Sequence, residues 1–396
     1  MRYDFDNPPD RRNTLCNKWD RVADLFGNPD ALPMWVADTD FPCPEPVMEA
    51  LRARLEHPIF GYHYPPDSLY EAIVDRMWEH HGWRIRPEWV VLGPGVISDL
   101  RSALGAVSRP GDEIVLQPPV YYPFAAAVGD EGRRVVENPL LLEDGRYRMD
   151  FPGLESLFEV VTSFPARDPR ISAVVLCSPH NPVGRVWERG ELGRLGQICL
   201  RQNAVLISDE IHCDLVVGDG AHVPAASISA ELARNTITLM SANKTYNTPG
   251  LKTSFAIIPD EDIRRRFGFA GRARGGVNCL GLAALEAAMR DPDDYLEQLL
   301  EYLRGNIRVF REGIADLDGV KLVEPEGTYL LWLDMRGLGL DDHALARFVV
   351  DEIGIAPDYG YVFGTGGGGF QRINVGCPRS MVVEAVSRLR GALRAR

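Results

Sequence analysis

Cysteine is scarce and scattered in this 396-residue chain, with seven residues at positions 16, 43, 177, 199, 213, 279 and 377. An odd count without paired spacing excludes a disulfide framework and gives no zinc signature. Several of the seven fall in apolar runs, where a thiol behaves as a small buried apolar group. Long hydrophobic stretches are also missing, so no segment approaches the length of a transmembrane helix. The start, Met1-Arg2-Tyr3-Asp4-Phe5-Asp6, has no signal-peptide core, and the chain is expected to stay in the cytoplasm. Positive charge is in deficit: 43 Lys and Arg face 56 Asp and Glu, for a net charge of −13. That balance argues against nucleic acid or an anionic membrane as a partner. What remains is the composition of an ordinary globular protein, long enough for a large core and two domains.

Short apolar runs recur through the middle of the chain, at 89–92, 113–116, 134–137, 173–177, 204–207, 236–240 and 254–258. Their apolarity is continuous rather than alternating, which means both faces of a sheet are covered. Glu191, Leu192, Leu195, Ile198 and Cys199 recur between them at helical spacing. The class is α/β: a doubly wound, mostly parallel seven-stranded sheet. From about Asp291 the pattern changes to a long helix over Tyr295–Ile314, strands at Tyr329–Leu333 and Arg372–Val375, and a last helix over Met381–Leu393. The expected division is a large domain of residues 44–290 and a smaller α+β domain of residues 1–43 and 291–396.

Two patterns are set aside on context. Residues 364–369 satisfy GxGxxG literally, but a nucleotide fingerprint follows a strand and opens a helix. Here a strand follows instead, so a flexible loop is expected. His80-His81 and the set His212, Cys213, Asp214 have no partner at liganding spacing, so no metal is assigned.

Three of the strands carry the chemistry. Residues 173–177 run into Ser178-Pro179-His180-Asn181-Pro182-Val183-Gly184, residues 204–207 into Ser208-Asp209-Glu210-Ile211-His212, and residues 236–240 into Ser241-Ala242-Asn243-Lys244. Parallel sheets present their chemistry at strand carboxyl ends. A lysine there is placed to form a Schiff base with a carbonyl. An amide, a carboxylate and an amine together match what pyridoxal phosphate needs.

With Asn-Pro-x-Gly at 181–184, Asp-x-x-His at 209–212, Ser-x-x-Lys at 241–244 and an arginine at 379, the chain resembles a fold type I pyridoxal phosphate enzyme of the aminotransferase class I/II superfamily. The resemblance covers nearly the whole chain. It implies Lys244 as the Schiff-base lysine and Asp209 as the carboxylate that keeps the cofactor ring nitrogen protonated. Asn181 and His212 would donate to the phenolate oxygen, and Tyr121 would stack on the ring, with Tyr122 as its competitor. Gly93-Pro94-Gly95-Val96-Ile97-Ser98 resembles a phosphate cup, with Val96 and Ile97 at a helix N-terminus and Ser241 adding a hydroxyl. Relatives usually carry arginine eight residues after the lysine. Lys252 stands there, giving a point charge without the fork, unless it is a surface lysine. Arg379 resembles the arginine that binds the substrate carboxylate.

The N-terminal third resembles one branch. Asn13-Thr14, Lys18-Trp19-Asp20, the run 33–41 and Phe60-Gly61-Tyr62 look like the MalY/PatB cystathionine β-lyase-like C–S lyases, departing at Thr39, where methionine is common. The implied arrangement puts Ala37, within Trp35–Asp38, over the amino-acid substrate. It also sends Tyr62 to the phosphate of a neighbouring subunit in a homodimer. The implied activity is α,β-elimination from an S-substituted L-cysteine. An aminotransferase and an enzyme acting on a bulky cysteine conjugate, by elimination or oxidative decarboxylation, remain as alternatives. A non-catalytic cofactor sensor is a further class, disfavoured by the presence of Lys244, Asp209 and Arg379.

Overall fold

The structure, a computed structural model, describes residues 2–162, 170–290 and 293–396. Seven strands build its central sheet: β1 (Val90–Gly93), β2 (Glu113–Leu116), β3 (Arg134–Glu137), β4 (Ile171–Cys177), β5 (Val205–Asp209), β6 (Thr236–Met240) and β7 (Ser254–Ile257). They lie in the order β1-β7-β6-β5-β4-β2-β3. All run parallel except β7, which pairs antiparallel with both β1 and β6. β4 and β6 are buried at every position, the result expected of strands covered on both faces.

The covering helices are amphipathic. Val96–Val107 (α1) buries Leu100, Ala103, Leu104 and Val107. Arg189–Arg201 (α2) opens with a reciprocal cap between Glu188 and Glu191 and buries Leu192, Leu195, Ile198 and Cys199. Beyond them, Asp293–Ile314 (α3) and Arg379–Ala395 (α4) pack on each other and share a core with a four-stranded antiparallel sheet. Its strands β8 (Lys321–Val323), β9 (Leu330–Asp334), β10 (Asp358–Tyr359) and β11 (Phe370–Asn374) lie in the order β8-β9-β11-β10. The N-terminal segment joins this part through Leu32–Pro33, which pairs in parallel with Ile355–Ala356. The boundary expected after residue 290 meets residues 291–292, which lie outside the described residues.

Three local differences from the sequence reading matter. β5 continues to Asp209, so the carboxylate sits on the strand itself. α4 begins at Arg379, directly after Pro378, rather than at Met381. The glycine run folds as a turn so close that a Cβ on Gly367 would stand 2.1 Å from the Gly360 carbonyl oxygen. Only glycine fits there.

Candidate active site

β4, β5 and β6 are neighbours, so their carboxyl ends open onto one cavity of about 290 Å³. Asn181, Asp209, His212 and Lys244 line it, together with Ala37, Tyr121, Lys252 and the backbone turn 94–98 ahead of α1. Val96 and Ile97 are the first residues of α1, where amide groups have no intrahelical partner.

Asp209 is buried, and one of its oxygens accepts from the Ile211 amide at 3.1 Å. Burial pushes its carboxyl up to about 7, only partly countered by that amide and by Lys244. A carboxylate in this state favours a cationic partner. Lys244 shows the opposite shift. Desolvation, and after it the charge of Arg372, brings its amine down to about 8. Its Nζ donates to the Ala37 carbonyl at 2.6 Å, and the Tyr329 hydroxyl reaches the same oxygen at 3.1 Å. His212 is held well below the usual histidine range by burial, so its ring is neutral. Tyr121 faces the cavity, whereas Tyr122 is 43% exposed, which separates the two competitors.

Arg379 is not at the cavity, and this corrects the sequence reading. As the first residue of α4 it turns back onto α3. Its Nε donates to Asn306 Oδ1 at 3.1 Å, Nη2 to the Tyr302 carbonyl at 3.3 Å, and the guanidinium stacks 4.5 Å from the Tyr302 ring centroid. The arginine that reaches the site is Arg372, on β11. It is buried, with Nη1 donating to Asn181 Oδ1 at 3.1 Å and Nη2 donating to the Trp35 carbonyl at 2.6 Å and pairing with Asp358. Its Nε has no partner. The accepting oxygen of Asn181 is thus occupied, which leaves its amide N–H groups facing the cavity. A signal was present in the sequence: residues two apart on a strand share a face. Arg372 and Asn374 are such a pair, and both hold the Trp35–Asp38 segment, Asn374 through the Val36 and Asp38 carbonyls.

One further expectation is displaced. Ser241 does not line the cavity; its hydroxyl donates to the Thr253 carbonyl at 2.7 Å and accepts from the Asn243 amide. With the Asn243 side chain, which donates to the same carbonyl, it ties the lysine turn to the start of β7. Tyr62 is fully exposed on a loop and touches no part of this cavity. The sequence reading passed over Cys177, which lines the floor of the cavity, and assigned Asn243 no role although it lines the wall. Side-chain ligand atoms of His81, Cys213 and Asp214 come within 4.8 Å of one another, which chain spacing did not reveal. Asp214 there accepts from Thr245 at 2.9 Å and pairs with buried Arg76 at 3.2 Å, so the cation it faces is a guanidinium.

These residues fit pyridoxal phosphate. There are helix-start amides and a lysine for the phosphate, a buried carboxylate with no ion pair among the described residues for the ring nitrogen, and an amine for the carbonyl. The buried guanidinium of Arg372 keeps its Nε–H without a partner among the described residues. Such a fold and site define an α/β enzyme of the pyridoxal phosphate kind. The chain belongs to the aminotransferase class I and II family, whose model matches residues 34–389. It is 39% identical over 392 residues to the cystathionine β-lyase PatB of Bacillus subtilis (strain 168), covering 98% of this chain and 99% of that one. Cystalysin from Treponema denticola, solved with pyridoxal 5′-phosphate, superposes with a TM-score of 0.93 at 35% identity over the whole of both chains. A pyridoxal phosphate-bound C–S lyase from Staphylococcus hominis gives a TM-score of 0.90 at 29% identity, covering 99% of this chain and 98% of that one.

Proposed function

We propose that the chain is a pyridoxal phosphate-dependent carbon–sulfur β-lyase that cleaves S-substituted L-cysteines to a thiol, pyruvate and ammonia. The observation that carries it is the convergence of Lys244, Asp209 and Asn181 on one cavity, with Arg372 bonded to Asn181, in a chain similar throughout its length to C–S lyases. When bound, pyridoxal phosphate offers a carbonyl for the substrate's amino group and a protonated ring that stores the electron pair left at Cα.

The chain's residues then divide the work. Arg372 holds the substrate carboxylate through the N–H it leaves free, with Asn181 and Trp35 fixing the guanidinium plane. Lys244, desolvated and released from its own bond, takes the Cα proton as general base. Asp209 would keep the ring nitrogen protonated, and neutral His212 and the Asn181 amide would hold the ring's oxygen, all three lining the cavity. The Cβ–S bond breaks because a thiolate leaves readily, and the released enamine hydrolyses. Pyruvate, ammonia and thiol formed from cystathionine and S-alkyl cysteines without a keto acid support this reading. Conversion that requires a keto-acid acceptor replaces it with transamination.

The arginine assignment has its own test. Arg372→Lys keeps the charge and loses the fork, so KM should rise about ten- to a hundred-fold, equivalent to roughly 1.5–3 kcal/mol. Arg379→Lys should leave KM within about two-fold, since that side chain serves the α3–α4 contact. Steady-state kinetics of the two variants decide between the arginines.

We also propose a cytoplasmic homodimer in which Tyr62 completes the partner's phosphate site, and the domain division of residues 44–290 against 1–43 with 291–396. Among the described residues no helix is long and apolar enough to cross a membrane. The loop carrying Tyr62 exposes Ile59, Phe60 and Tyr64 as well, an apolar surface suited to a second copy. Tyr62→Phe should weaken cofactor binding about ten-fold in equilibrium titrations without changing the dimer's mass by light scattering. An unchanged dissociation constant makes Tyr62 a packing residue only.

A further inference from the structure

Behind the phosphate cup lies a second acid that the reaction does not use. Asp99 stands in the first turns of α1, 3% exposed, with its side chain folded under the end of β1. A Cβ on Gly93 would stand 1.9 Å from Asp99 Oδ1, so the carboxyl occupies space that only a glycine leaves. Asp99 Oδ2 accepts from the Ser254 hydroxyl at 2.5 Å, and that hydroxyl accepts from the Gly95 amide at 2.7 Å. Gly95 is the residue that caps α1 and forms the cup. A continuous chain of hydrogen bonds therefore links the buried carboxyl to the phosphate-binding turn.

No cation pairs with Asp99 among the described residues. Its charged and titratable surroundings are few. Arg272 and Arg274 line the same cavity of about 330 Å³ behind the cup. Arg274 is paired with Glu131 at 2.9 Å, and Arg272 lies over the Phe269 ring. From α1 itself comes Ser102, from β7 Ser254, and just before β7 Lys252, which lines the cup on its open side. Burial pushes the Asp99 carboxyl up to about 7, against the lowering by Ser254.

A helix N-terminus stabilises one negative charge well, and two anions at the same end repel in a medium of low dielectric. We infer that Asp99 is a positioning residue of the phosphate cup that takes up a proton when a phosphate dianion binds, so that cofactor affinity falls as pH rises. When Asp99 is protonated, the cup meets the dianion without opposition and Ser254 still orders Gly95. When it is ionised, binding must either draw a proton to Asp99 or place two anions at one helix end. By linkage the affinity then declines above the pH at which Asp99 ionises.

This inference rests on the turn at 94–98 holding the cofactor's phosphate. The test is calorimetric titration of the full-length apo-protein with pyridoxamine 5′-phosphate, whose amine cannot condense with Lys244, between pH 6.5 and 8.5. Pyridoxamine, which shares the ring and the amine, subtracts their protons. The phosphate's second ionisation, near pH 6, is complete by pH 7.5. The parent should lose about ten-fold more affinity across this range than Asp99→Asn, whose amide mimics the protonated acid. Heats of the parent at pH 7.5 in buffers of different ionisation enthalpy should show proton uptake beyond that of pyridoxamine. Ser254→Ala should weaken phosphate binding at every pH and move the decline to higher pH, because the Ser254 hydroxyl holds the Asp99 carboxyl down. Identical slopes for the parent and Asp99→Asn, or no excess uptake in the parent if that variant does not fold, overturn the inference and leave the cup standing. Equal affinities of the parent for pyridoxamine and its phosphate overturn the cup itself.

Discussion

Lys244→Ala should lower elimination by about 10⁴-fold, the upper range for loss of a positioned general base. The residue emerges just past β6, its backbone fixed by the bonds that Ser241 and Asn243 make to Thr253. Its amine is brought down to about 8 by burial and by Arg372, so an uncharged base is available near neutral pH. Protonated lysine cannot accept the Cα proton, so kcat should rise with pH up to about 8 and then level off. The fold should survive, because the side chain ends in a cavity and removes no core packing. Borohydride reduction of the parent holoenzyme, followed by peptide mapping, should mark the peptide carrying Lys244. Label on another lysine, or substantial turnover by the alanine variant, would refute the assignment.

The second large effect is expected at Asp209. Asp209→Asn should reduce kcat by about 10²- to 10⁴-fold, since removing one partner of a buried ion pair costs about 3–5 kcal/mol. An amide does not hold the ring nitrogen protonated, and the ring then stores electrons poorly. A second readout has the opposite sign. In the apo-protein the buried carboxyl is pushed up to about 7 by desolvation, so it binds its proton more tightly folded than unfolded. Such a group weakens stability as pH rises from the ordinary carboxylate range to about 7. Apo Asp209→Asn should therefore melt higher than the apo parent at pH 8, while the holo variant loses turnover. Calorimetric melting curves of both apo forms, set beside their kinetics, check the pair of effects. Near-native turnover would end the electron-sink role.

The sequence by itself determined the α/β class, the seven strands of the sheet and three residues that line the cavity. Continuous apolar runs at 173–177, 204–207 and 236–240 mark strands covered on both faces, and their carboxyl ends carry Asn181, Asp209 and Lys244 by simple succession along the chain. Local patterning suffices for groups placed by the strand that precedes them. It failed for Arg379, because the helix began two residues earlier than its apolar spacing suggested, and the side chain of that first helical residue turns onto α3. Arg372 reaches the site only because β11 lies against β9 and beside the Trp35–Asp38 segment, a pairing across more than three hundred residues. Ser241 was drawn from the cavity by the Thr253 carbonyl, just before the neighbouring strand β7. Asp99 gained meaning only when β7 brought Ser254 beneath Gly95. Tertiary structure alone decided these four, since each depends on which distant backbone group satisfies a polar side chain, and periodicity along the chain does not encode that choice.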